Sequence, residues 1–128
     1  MIDNRTEKRK TGDEGEDIAA RFYAQSGYRI AARNFACKMG EIDIVAVDDK
    51  RKIIAFVEVK SRNTTKYGLP CEAVNYRKQR RLFNTAEYFM LSHRGFGQYR
   101  MRMDIFEILR KDGKVYVRQL KNAFGKEY

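Results

Sequence analysis

Proline, histidine and cysteine are nearly missing from this chain: 128 residues contain one proline, one histidine and two cysteines. A lone His93 excludes chemistry that needs several imidazoles. It falls where a helix should end, a position favoured by the helix dipole. Cys37 and Cys71 lie far apart without CxxC spacing, so two free thiols are expected rather than a zinc site. Long apolar runs are missing too. Nothing approaches the ~20 apolar residues that cross a bilayer, and no apolar leader core follows the first residues. The expectation is a soluble, cytoplasmic protein with no membrane partner.

Positive charge is abundant. Lys plus Arg number 27 against 17 Asp plus Glu, a net charge of +10 with an isoelectric point near 9.8. Such a balance suits a polyanionic partner, nucleic acid first and an anionic membrane second. The length fits a single domain over residues 1–128, with a working core and no room for a separate ligand module. There is no internal repeat, low-complexity segment or linker.

Residues 1–10 are charged and almost without large apolar side chains, and residues 121–128 form a basic tail; both ends are expected to be mobile. From Thr11 the pattern turns helical. Thr11 with Glu14 resembles a capping box, and Gly27 stops the run, so a helix is expected from about Gly12 to Ser26. Its stripe is Gly15, Ala19, Phe22 and Tyr23. Glu16 falls on the edge of that stripe beside Tyr23, whereas Asp17 faces away. A strand follows over Tyr28 to Cys37.

Gly40 to Arg62 reads as a β-hairpin around the turn Asp48-Asp49-Lys50-Arg51. In its second half, alternation sets Ile53, Ala55, Val57 and Val59 against Ile54, Phe56, Glu58 and Lys60. In its first half Glu41, Asp43, Val45 and Val47 oppose Ile42, Ile44 and Ala46. Antiparallel pairing then brings Asp43 toward Glu58, with Glu41 left solvated at the strand start. A carboxylate and a lysine inside so apolar a strand need a compensating partner, because burying either alone costs several kcal/mol. Two partners satisfy that need. One is a divalent cation held by Asp43, Glu58 and a backbone carbonyl near Val59, with Lys60 holding or deprotonating the attacking water. The other is a structural ion pair on a half-solvated sheet face.

Beyond the hairpin, residues 63–69 form a polar loop at the rim of this stretch. Pro70 stands where a helix can begin, and Glu72 to Ser92 carries the stripe Val74, Leu82, Phe83, Ala86, Phe89 and Met90. Gln79 falls within that stripe, Lys78 at its margin and Arg80 outside, so Lys78 and Gln79 can reach toward the hairpin. Arg62, Arg77, Lys78 and Arg81 are the candidates for phosphate contacts, with a solvated helix face as the plain alternative for the basic run. Gln98 to Leu109 alternates again, with Arg102 and Asp104 on one face as a natural buried ion pair. A turn at 111–114 and a strand over Val115 to Leu120 complete the order, which fits an α/β sandwich with a mixed sheet flanked by helices.

Asp43, fourteen residues, then Glu58-Val59-Lys60 resembles the PD-(D/E)XK nuclease superfamily. GEIDIVA with FVEVKSR is similar to the YraN-like bacterial family, related to archaeal Holliday-junction resolvases, and the match runs from about Gly12 to Leu109. The proline that precedes the superfamily's aspartate is Ile42 here. The resemblance implies a restriction-endonuclease-like three-layer sandwich and a magnesium-dependent endodeoxyribonuclease, with manganese as a substitute. It implies that Asp43 and Glu58 bind the metal, that Lys60 assists hydrolysis, and that Glu16 joins the metal site from the first helix. The family's lysine on the long helix corresponds to Lys78, and Arg102-Met103-Asp104 resembles its Arg-aromatic-Asp element. With no recognition-helix signature, the expected substrate is DNA chosen by structure, such as branched DNA, for which a homodimer is suited. The rival expectation is a non-catalytic nucleic-acid-binding protein on a nuclease scaffold.

Overall fold

Five strands form one mixed sheet in the order β1-β2-β3-β4-β5, so spatial order follows chain order. The structure, a computed structural model, describes residues 7–62 and 75–125, with side chains from residue 13 onward. Helix α1 spans Glu7–Gln25, followed by β1 (Arg29–Cys37), β2 (Gly40–Asp48) and β3 (Ile53–Arg62). Helix α2 (Tyr76–Ser92) and a 3-10 turn at Arg94–Phe96 lead to β4 (Arg100–Lys111) and β5 (Lys114–Leu120). All neighbours pair antiparallel except β3 and β4, which run parallel across the α2 crossover. The α/β class and the mixed sheet agree with the reading of the sequence.

The alternation of β3 sorts the core into two faces. Ile54 and Phe56 pack with Val45, Val47, Met103 and Ile105 beneath Leu82, Ala86 and Phe89 of α2. Ala55 and Val57 pack with Ile44, Ala46, Phe106 and Ile108 beneath Ala19 and Tyr23 of α1. Each fully buried large side chain contributes about 1.5–3 kcal/mol, so the helices are held by their stripes more than by helix propensity. Alternation fails at Ile42, which joins Val45 and Val47 rather than Ile44 and Ala46. On β1, Asn34 has φ +54° between the pairs Arg33↔Ile44 and Phe35↔Ile42, which breaks the extended backbone there.

Three boundaries differ from expectation. Helix α2, expected from Glu72, starts at Tyr76, because Asn75 is extended and caps it. Helix α1 begins at Glu7, because a charged segment continues a helix already anchored by the stripe from Gly15 onward. Gly27, at φ +93°, ends it as expected. At the other end, residues 121–125 are docked, not free. The Ala123 N–H donates to the Met103 carbonyl at 2.7 Å, the Asn122 N–H donates to Asp104 at 3.0 Å, and Ala123 and Phe124 lie against the α2-side core. Residues 1–6, 63–74 and 126–128, including the expected rim loop, Pro70 and Cys71, lie outside the described residues.

Arg102 and Asp104 form the buried pair expected of them. The guanidinium donates to both carboxylate oxygens, from Nε at 2.9 Å and from its second nitrogen at 2.8 Å, and the same nitrogen reaches the Tyr28 hydroxyl at 2.8 Å. Tyr23 adds its hydroxyl to Asp104 at 2.8 Å. Burial and the Asp104 charge push the Tyr23 phenol well up, so it stays a donor. This network ties α1, β4 and the docked C-terminal segment together. His93 caps α2, bonded through Nδ1 to the Phe89 carbonyl at 2.9 Å and stacked on the Phe89 ring at 3.8 Å.

Candidate active site

The site starts where the β2–β3 ladder stops. Cα pairing runs from Asp48↔Ile53 to Ile44↔Val57 and goes no further. One residue on, the Asp43 side chain takes the place of a backbone acceptor, receiving the Val59 N–H on Oδ2 at 2.7 Å. The turn behind the hairpin is fixed by Asp48, whose Oδ1 accepts the Lys50 and Arg51 N–H groups at 3.1 Å each. Asp43 and Glu58 are thereby drawn together at the open end of the hairpin.

Both carboxylates carry the consequence. Burial, then the neighbouring Glu58 charge, push the Asp43 carboxyl up to about 7, with Glu16 adding to the rise and the Val59 N–H opposing it. Glu58 is buried and meets two lysines: Lys78 Nζ at 2.7 Å and Lys60 Nζ at 3.3 Å. Burial, then the adjacent Lys78, hold the Lys60 ammonium below its usual value. For Lys78 burial acts downward but is outweighed by hydrogen bonds to Glu58 and Lys60, so its value is raised. Two lysines in one small space thus have unequal grips on their protons.

Most of the residues singled out in the sequence do converge. Asp43, Glu58, Val59, Lys78 and Arg81 line one cleft of about 650 Å³ between the start of β2, the end of β3 and the first turns of α2. Gly40 sits at its edge with φ +149°, and a Cβ there would lie 3.1 Å from the Thr85 hydroxyl, so β2 starts hard against α2. Helix α1 comes equally close on the opposite face. A Cβ on Gly15 would lie 3.1 Å from Ile108 Cδ1, and the next residue, Glu16, is near enough to raise Asp43. Asn75 caps α2 by accepting the Lys78 N–H at 2.9 Å, which fixes the turn that aims Lys78 at Glu58.

Other candidates are placed elsewhere. Arg62 is turned to the buried Glu107 at 3.1 Å, its side chain 11 % exposed. Arg77 and Arg80 lie on the exposed face of α2 with Tyr76, whose ring the Arg80 guanidinium approaches at 5.9 Å. Gln79 is half-buried, whereas Glu41, exposed, and Cys37, a free thiol, line the same cleft as Asp43 and Glu58. The reading of the sequence missed Glu107 altogether. Its position inside Ile105-Phe106-Glu107-Ile108 is the signal that marked Glu58.

As donors, Asp43 and Glu58 offer hard carboxylate oxygens of the kind that suit magnesium or manganese. Among the described residues no group of three histidine, cysteine, aspartate or glutamate side chains is already gathered to hold a metal. A carboxyl that exchanges its proton near pH 7 beside a paired carboxylate, with two lysines at hand, can hold a cation or bind an anion.

A mixed five-stranded sheet with a helix on each face, and a carboxylate–lysine cluster where two strands part, define an α/β protein with a polar site at a strand end. The sequence pattern of the uncharacterised protein family UPF0102 matches residues 15–108, and the chain belongs to that family, the YraN-like proteins. A UPF0102 protein of Clostridium acetobutylicum is 42% identical over 118 residues, covering 91% of this chain and 94% of its own. One of Caldicellulosiruptor bescii is 44% identical over 119 residues, covering 91% and 98%. One of Caldanaerobacter subterraneus is 40% identical over 120 residues. No helix among the described residues is long and apolar enough to cross a membrane.

Proposed function

We propose that the chain is a metal-dependent endodeoxyribonuclease on a restriction-endonuclease-like scaffold, hydrolysing DNA phosphodiester bonds and selecting its substrate by shape. One observation carries the reading: Asp43 and Glu58 meet beside Lys60 and Lys78 at the open end of the hairpin, where the β2–β3 ladder gives way to a side chain. Magnesium, or manganese in its place, is assigned to Asp43, Glu58, Glu16 and the Val59 carbonyl, and when bound it supplies Lewis-acid polarisation of the phosphate and a more acidic water. The Val59 carbonyl suits this role because an extended residue sends its N–H and C=O toward the same edge, and the N–H already meets Asp43.

The chain's own groups do the rest. With a cation bound, the ionised form of Asp43 is favoured, since the burial and the Glu58 charge that raise it are then offset. Lys60, with its ammonium already weakened by burial, orients the attacking water or takes its proton. Lys78 keeps its charge and faces the negative charge that grows on the phosphate oxygens. The surplus of basic residues holds the DNA backbone, so affinity falls steeply with salt. A homodimer would suit a branched substrate.

A second reading has its own support. Both lysines are bonded to Glu58, and a carboxylate so fully compensated by side chains has less need of a metal. On that reading the protein binds nucleic acid without cutting it. Labelled linear, single-stranded, flapped and four-way DNAs, incubated with magnesium or manganese, decide between them. Metal-dependent cutting by the wild type, lost in Asp43→Ala and Lys60→Ala, is the expected result. Salt-sensitive binding with no cutting of any substrate would establish the second reading.

A further inference from the structure

Glu107 is fully buried in the middle of β4, yet two arginines share its carboxylate. Arg62 Nε lies 3.1 Å from Oε2, and Arg118 donates a hydrogen bond to Oε1. All three face the α2 side of the sheet. Met103 and Ile105 belong to the α2-side core and Phe106 and Ile108 to the other, so alternation turns Glu107 toward α2; Leu120, two residues beyond Arg118, also packs on that side. Register makes the placement sharper. Lys60 pairs with Glu107 across β3 and β4, and Glu107 pairs with Arg118 across β4 and β5. Lys60, Glu107 and Arg118 therefore form a row over three adjacent strands, and at roughly 4.8 Å per strand Arg118 stands about 10 Å from Lys60.

One arginine is enough to neutralise a buried carboxylate, and Arg62 does so almost out of contact with water. The second leaves the group with excess positive charge. That excess sits on Arg118, whose side chain is 40 % exposed, on the same face and in line with the carboxylate–lysine site. A guanidinium held from behind by a carboxylate loses less side-chain freedom when it binds an anion, which makes it a better phosphate ligand than a loose surface arginine.

We propose that Glu107 presents Arg118 to a backbone phosphate of the nucleic acid next to the one at Lys60, leading the strand across the sheet from β3 toward β5. Glu107 is a positioning residue here and Arg118 the contact. The inference rests on the nuclease or nucleic-acid-binding reading of the site. It adds the direction in which the polyanion leaves the site.

Fluorescence anisotropy with labelled single-stranded and duplex oligonucleotides over a series of salt concentrations tests it, using full-length protein and thermal unfolding as a control. Arg118→Ala should weaken binding about three- to tenfold and reduce the slope of log affinity against log salt by about one, with Lys114→Ala on the same strand changing less. Arg118→Lys should keep the slope. Glu107→Gln, which keeps both cations but not their anchor, should weaken binding without lowering the slope. If Arg118→Ala lowers only the melting temperature while affinity and slope match the wild type, the trio is a structural strut and the inference falls alone. If the wild type binds no oligonucleotide at low salt, the reading of the site falls with it.

Discussion

The Asp43 carboxylate accepts the Val59 N–H at 2.7 Å while facing Glu58, so one side chain both completes a sheet ladder and carries a misplaced charge. Its folded value of about 7 stands above the ordinary carboxylate value of 3.8. A group raised on folding stabilises fully below its unfolded value and loses that contribution as pH rises through the folded one. Asp43 therefore favours the fold below about pH 4, and the advantage fades by about pH 7. At 1.36 kcal/mol per pH unit the swing is about 4 kcal/mol at most. Asp43→Asn keeps an acceptor for Val59 and removes the titration, so denaturant unfolding above pH 7 should show it more stable than wild type, with a flatter pH profile.

Lys60 and Lys78 should separate by their effects on rate. Lys60→Ala should lower cleavage by about 100-fold or more, the scale of a lost proton-transfer or charge-stabilising group, with DNA affinity changed only a few-fold. Lys78→Ala removes a cation facing both Glu58 and Asp43. It should lower cleavage less and move the acidic limb of the pH–rate profile upward, because Asp43 then holds its proton more tightly.

Asp104, itself buried, is bonded by Arg102, Tyr23 and the Asn122 N–H. Asp104→Ala leaves a buried arginine uncompensated and should cost about 3–5 kcal/mol in denaturant unfolding. Tyr23→Phe should cost about 1–2 kcal/mol. Neither should change cleavage per folded molecule in a titrated assay.

Gly15 lets α1 approach β4 closely enough for Glu16 to act on Asp43. Gly15→Val would drive a branched side chain into Ile108 and should destabilise by about 1–3 kcal/mol. The displaced helix should also lower Asp43 slightly, burial and Glu58 keeping it raised, a change measurable by NMR titration.

The hairpin was legible because period-two alternation, a polar turn and charged residues in an apolar strand are all local signals. Asp43, Glu58 and Lys60 could be marked from them, and Lys78 from its place at the margin of a helical stripe. What escaped lies at long range or against the local pattern. Tyr23 and Asp104 are 81 residues apart in the chain, and no periodicity announces their bond. The start of α1 was hidden because residues 7–11 carry charge where an apolar stripe would have shown a helix. Docking of residues 121–125 depends on backbone groups of β4, which composition cannot reveal. Glu107 could have been found by the rule that found Glu58, since it too interrupts an apolar strand.

Sheet order that follows chain order divides the molecule by time as well as by space. The three-stranded meander β1-β2-β3 and the β4-β5 hairpin each join neighbouring segments, and such contacts form within microseconds. Only the parallel seam between β3 and β4 must wait for the long excursion through α2. Asp43 and Glu58 thus meet early, whereas Lys78 arrives with the seam. The burial that raises Asp43 comes with the packed helices, so its ionisation above pH 7 penalises the finished protein more than the half-built meander. Unfolding should accordingly quicken with rising pH more than refolding slows, a kinetic record of how late the site closes.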